Sequence, residues 1–154
     1  METTEKTKQE NKAISRKFWE YFEKGERDKI GNELWATNYK LHFTGKKVLN
    51  KEESKENIMK TFNIGFPDLK ITVEEQIAEG DLVVDRFTVH GTHKGEFHGI
   101  APTNKNIKFT GIAINRIVEN KIAERWTEID FLGIMTQLGA IPELAQVEGQ
   151  EMSK

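Results

Sequence analysis

The stretch NIKFTGIAINRIVENKIAERWTEID, Asn106 to Asp130, decides the fold. It reads as two long strands, Asn106 to Val118 and Lys121 to Asp130, joined by the tight turn Glu119-Asn120. Apolar and polar residues alternate with period two, as on a half-buried sheet. Within the first strand the apolar parity changes: Ile107 and Phe109 are odd, Ile112 and Ile114 even. A β-bulge at Gly111 would account for the change and bend the strand. If Val118 pairs with Lys121, Ile114 opposes Arg125 and Ile112 opposes Thr127. That places Ile112, Ile114, Arg125, Thr127 and Ile129 on one face, an apolar wall carrying two polar groups.

Upstream lies more of the same meander. Leu82 to Thr92 is a long strand, and Leu69, Ile71 and Val73 alternate with polar residues before the turn Glu79-Gly80-Asp81. Further back the period becomes helical. Ile14, Phe18, Tyr21 and Phe22 share one face of a helix starting near Lys12, with Gly25 as its stop. A second helix is expected over Lys29 to Ala36 and a short strand over Tyr39 to Phe43, with Tyr39, Leu41 and Phe43 on one side and His42 on the other. A third helix starts at Asn50, which forms a capping box with Glu53. Downstream, Phe131, Met135 and Leu138 mark a last short helix. Helices first, then a meander, predict an α+β domain: a curved antiparallel sheet closed by N-terminal helices into a cone with one pocket. Residues 1–12 and 141–154 read as flexible ends around a single domain at 13–140.

Composition narrows the function. The 154 residues include no cysteine, so disulfide frameworks and thiolate metal sites are excluded. With 23 Lys+Arg against 25 Asp+Glu, the charge of −2 lacks the basic excess of a nucleic-acid binder. No apolar run has the length of a membrane span, and Met1 to Lys12 lacks a signal-peptide core. The expectation is a cytoplasmic protein without nucleic-acid or membrane partners.

Several short motifs carry a family resemblance. They are Phe66-Pro67-Asp68-Leu69, Gly91-Thr92-His93-Lys94-Gly95-Glu96-Phe97, Gly99-Ile100-Ala101-Pro102-Thr103-Asn104-Lys105, Lys121 to Trp126, and Asp130 with Leu132 to Met135 and Gln137-Leu138-Gly139. In this order they resemble the SnoaL-like polyketide cyclase (ester cyclase) family of the nuclear transport factor two-like superfamily, over roughly Ala13 to Gly139. The resemblance implies a cone-shaped α+β barrel, a homodimer packed sheet on sheet, a mostly apolar pocket, and no metal or organic cofactor. It also implies acid–base chemistry on a carbonyl compound, in which a carboxylate removes a proton next to a carbonyl. The family's last strand commonly reads Glu-His-Trp-Asp; here it reads Glu124-Arg125-Trp126-Thr127. Thr127 at the acid position is no base at neutral pH, and Arg125 can hold an anionic oxygen. The sequence therefore leaves open a cyclase or isomerase, a non-catalytic carrier, and a cofactor-free hydratase or hydrolase.

The catalytic candidates are Arg125, His93 and Asp130. Arg125 is either a pocket cation or an exposed strand residue paired with Glu. His93 is either a donor at the pocket mouth or a residue fixing its turn. Asp130 is either an alternative carboxylate or, more simply, a helix cap. The ligand-binding candidates are Phe18, Trp35, His42, Phe62, Ile112, Ile114, Thr127 and Ile129. His90, His93 and His98 do not converge as metal ligands on a helix would, so no metal is expected. Trp126, on the opposite face, is expected to anchor the dimer.

Overall fold

Capping and burial explain where the helices lie. In the computed structural model, which describes residues 4–142, helix α1 spans Glu5–Glu23 and is capped by Thr4, whose side chain accepts from the Thr7 N–H. The expected boundary at Lys12 is therefore too late: residues 5–11 are helical and Asn11 is already buried. The cap at Thr4 sets the start, upstream of the apolar stripe on which the sequence reading relied. The rest of the expected flexible ends, 1–3 and 143–154, lies outside the described residues.

A short helix α2, Arg27–Lys29, runs into a π-helical turn over Ile30–Leu34. Strand β1 follows at once, Trp35–Phe43, so Trp35 belongs to a strand and not to the expected second helix. Helix α3, Lys51–Ile58, carries the expected capping box between Asn50 and Glu53 and ends in a second π-turn, Met59–Asn63. The remaining strands are β2 Lys70–Glu79, β3 Leu82–Thr92, β4 Asn106–Val118 and β5 Lys121–Ile129, followed by α4, Phe131–Gln137.

All five strands form one sheet in the order β1-β5-β4-β3-β2. Strands β2 to β5 are the expected antiparallel meander, whereas β1 pairs with β5 in parallel, so the sheet is mixed and unclosed. Helix α1 lies across its concave side and meets the second π-turn through an aromatic cluster, with Phe18, Trp19, Phe22 and Phe62 linked edge to face or at a tilt. The architecture is α+β, helices on one face of a curved sheet.

The expected bulge at Gly111 is absent. The β3–β4 ladder runs residue by residue from Leu82↔Arg116 to Thr92↔Asn106. Odd-numbered residues of β4 point inward along its whole length, from Ile107 to Ile117. Gly111 answers a different need: a Cβ there would lie 2.5 Å from Phe87 Cζ and 2.8 Å from the Glu128 carbonyl oxygen. The irregularity instead sits one strand later. Ile117 pairs with Ile122 but Arg116 with Glu124, which leaves Ala123 as an extra residue in β5. Beyond it every partner moves by one. Asn115 opposes Arg125 and Ala113 opposes Thr127, while Ile114 opposes Trp126 and Ile112 opposes Glu128. Ile112 and Ile114 therefore belong to the outer face, and Ile112 is 50% exposed.

Candidate functional site

Between α1, α3 and the sheet lies a slender, mostly apolar cavity of about 40 Å³. Phe18, Trp19 and Phe22 of α1 form its roof, with Ile58 and Phe62 beside them. Strand β1 contributes Trp35, Tyr39, Leu41 and Phe43; β3 and β4 add Phe87, Val89 and Phe109. Arg125, Thr127 and Ile129 complete it from β5. Asn57 lines the cavity and also a polar surface groove with Lys46, Lys60 and His98.

Arg125 is the dominant polar feature. It is 3% exposed, and its guanidinium lies 4.1 Å from the Phe18 ring centroid and 4.8 Å from that of Trp19. Both rings offer π-faces to the cation, which offsets part of its lost hydration. Burial pushes its pKa down, while Tyr39 and Asp85 act in the opposite direction. Nη1 donates to Asn115 Oδ1 at 2.9 Å. Asn115 Nδ2 donates to Ser15 Oγ at 2.8 Å, and Ser15 in turn donates to Asp85 Oδ2. Asp85, fully buried, also accepts from Trp19 Nε1 at 2.8 Å and from Gln76 Nε2 at 2.9 Å. Cation and carboxylate are thus joined through two neutral side chains, every donor in the chain facing toward Asp85. Removing either charge leaves the other buried without a partner.

Beside Arg125 stand three polar atoms that the fold leaves unpaired. They are the Trp35 indole N–H, the Tyr39 hydroxyl and Thr127 Oγ1. The Trp35 and Tyr39 rings are stacked, 4.1 Å apart and 7° from parallel. Burial pushes the Tyr39 phenol well above its ordinary pKa, and Arg125 pulls it back down. The phenol is therefore a proton donor at neutral pH. None of the described residues lining the cavity is acidic.

Of the sequence candidates, the structure brings Phe18, Trp35, Phe62, Arg125, Thr127 and Ile129 to this cavity. Ile112 and Ile114 are displaced to the outer face by the Ala123 bulge. His42 also faces outward. It lies on the even side of β1, 2.6 Å from Glu124 Oε2, with its ring stacked on Trp126 at 5.1 Å. His93 is fully buried outside the cavity. Its Nδ1 accepts from the Thr103 N–H at 3.2 Å, and backbone bonds tie it to Asn104 and Lys105, so it pins a loop and is no donor at the mouth. Asp130 caps α4, accepting from the Gly133 N–H at 2.8 Å, and does not line the cavity. Among the described residues, no three His, Asp or Glu side chains gather as metal ligands.

Tyr39, Asn115, Ser15 and Asp85 were not among the candidates. Their signal was nevertheless present, since each sits in an otherwise apolar row. Asp85 falls between Val83 and Phe87 on β3, and Ser15 lies on the buried face of α1 with Phe18 and Trp19.

The chain matches the SnoaL-like polyketide cyclase model over residues 12–138. It belongs to the SnoaL-like polyketide cyclase family. Solved members and neighbours agree on the nuclear transport factor two-like fold. IdmH of Streptomyces antibioticus, a candidate polyketide cyclase, is 27% identical with a TM-score of 0.73, over 84% of this chain and 98% of that one. A candidate polyketide cyclase of Acidithiobacillus ferrooxidans is 26% identical with a TM-score of 0.75, over 84% and 94%. AclR of Streptomyces galilaeus, a candidate hydroxylase, superposes with a TM-score of 0.82 over 95% and 91% at 24% identity, a likeness of fold alone. No curated protein sequence matches the chain. In this SnoaL-like chain Arg125 and Thr127 both line the cavity. No helix among the described residues is long and apolar enough to cross a membrane.

Proposed function

We propose that the protein binds a small, mostly apolar carbonyl compound in this cavity, with the carbonyl oxygen toward Arg125. The observation that carries the reading is the convergence of Arg125 with three unpaired polar atoms, on Trp35, Tyr39 and Thr127, in an otherwise apolar slot. A buried polar group without a partner costs about 1–3 kcal/mol, so the slot favours a ligand that supplies an acceptor. A carbonyl oxygen has two lone pairs and can meet two of these donors at once. The aromatic roof takes the apolar remainder of the ligand.

Turnover of the cyclase or isomerase type is the second reading, favoured by family membership and by Tyr39 beside Arg125. Those two groups would stabilise an enolate oxygen. The proton-abstracting carboxylate of the family pattern is replaced by Thr127, so binding stands first. We also propose a homodimer through the outer sheet face. Ile77, Val84, Ile114, Trp126 and His42 form one cross-strand row there, with Ile77 63% exposed. Such a row offers an aromatic anchor within an apolar strip.

Tryptophan fluorescence tests the binding reading, because Trp19 and Trp35 line the cavity. Medium-chain methyl ketones should quench it saturably. Alkanes of the same length should bind about tenfold or more weaker, the worth of one or two buried hydrogen bonds. Equal binding of ketone and alkane would refute the carbonyl reading.

A further inference from the structure

The balance of charge and donors around the cavity floor singles out a charge state for the ligand. Arg125 is the charged side chain among the described lining residues, and none of those residues is acidic. Its nearest carboxylate in the hydrogen-bond chain, Asp85, is two side chains away and already accepts from Ser15, Trp19 and Gln76. A guanidinium carries five N–H groups, and the bond it forms among the described residues goes to Asn115. The neighbouring unpaired groups are of the same kind: the Trp35 indole can only donate, and the Tyr39 and Thr127 hydroxyls are free to do so. Four donor groups thus belong to residues that line one cavity, and one of them is a buried cation.

We propose that the floor of the cavity is an anion site: it takes the anionic oxygens of an apolar ligand, a carboxylate or an enolate, as the direct counter-charge of Arg125. The proposal rests on the reading that this cavity is the ligand site, and adds the ligand's charge. A neutral carbonyl fills the acceptor role but leaves the buried cation without a direct anion. A carboxylate or an enolate does both, and a carboxylate matches the planar fork of the guanidinium with two parallel bonds. The aromatic roof suits the apolar part of such a ligand, and Asn57 lines both this cavity and the polar groove.

Calorimetric titration of the full-length protein at neutral pH with three probes of similar chain length tests this: octanoate, nonane-2,4-dione and the neutral ketone nonan-2-one. The expected result is that octanoate or the dione binds about tenfold or more tighter than nonan-2-one. The dione is neutral in water at this pH and counts as an anion only where its bound form shows the red-shifted absorbance of an enolate; the tighter of octanoate and that enolate identifies the source. Arg125→Gln should abolish that preference, and Arg125→Lys should retain part of it. Should these variants fail to fold, the wild-type protein still decides. Octanoate labelled with carbon-13 at its carboxyl should titrate, when bound, at lower pH than in water. Anions binding no tighter than nonan-2-one, or a bound carboxyl titrating at higher pH, would overturn the anion site while leaving the carbonyl reading in place. Binding of octanoate without binding of any ketone would support the anion site and refute the carbonyl reading. No binding by any probe would refute both.

Discussion

Asp85 and Arg125 are two buried charges held apart by Ser15 and Asn115, and the cavity floor depends on that spacing. Asp85→Asn keeps the shape but removes the carboxylate charge. It should lower unfolding stability by about 3 kcal/mol, seen as a lower urea midpoint at unchanged slope, because Arg125 then lacks its buried counter-charge. Unchanged stability would show that the network is electrostatically idle. Thr127→Val removes a hydroxyl that has no partner in the fold. Stability should hold or rise by about 1 kcal/mol, while affinity for a carbonyl ligand falls; a loss of stability would show that the hydroxyl serves the fold and not a ligand. At this scale the sequence was legible where side-chain direction follows strand parity alone. Arg125, Thr127 and Ile129 share the inward face, as their spacing predicts. Asp85, Ser15 and Asn115 are polar residues in apolar rows, and the sequence reading passed over them. Their meeting joins positions 70 and 100 residues apart in the chain, which no local pattern reveals.

Strand β4 and its neighbours show how one inserted residue changes a site. The sequence attributes the parity change in β4 to Gly111, yet the ladder there is regular and the extra residue is Ala123 in β5. The reason is that Ile112 and Ile114 are apolar residues on an outer face, which a two-state inward/outward reading mistakes for core. Gly111 is required for close packing against Phe87. Gly111→Ala should destabilise the protein by about 1–3 kcal/mol in chemical denaturation, since ring and backbone must both shift; a neutral result would mean that Phe87 can rotate away freely. The helix starts were legible where a cap announces them. Asn50 caps α3 as expected, and Asn50→Ala should cost about 1 kcal/mol in the same measurement. Helix α1 ran beyond its apolar stripe to the Thr4 cap, and β1 began at Trp35 because the π-turn before it occupies the space of the expected helix.

For the molecule as a whole, the α+β class and the passage from helices to a meander were readable from helical periods giving way to strand periods. The parallel pairing of β1 with β5 was not, since it joins the ends of the chain across the sheet and leaves no mark on either strand's alternation. The proposed dimer is tested at this scale. Trp126→Glu should shift sedimentation from dimer toward monomer without affecting ligand binding, because Trp126 faces away from the cavity; a wild-type protein that sediments as a monomer would refute it. The most direct test of the central claim concerns the ligand oxygen itself. Nonan-2-one labelled with carbon-13 at its carbonyl can be titrated with the protein and followed by NMR. The expected result is a saturable downfield shift of the carbonyl resonance, as Arg125 and its neighbouring donors polarise the bond. A resonance that stays at its position in water up to saturating protein would contradict the assignment of this cavity as a carbonyl-binding site.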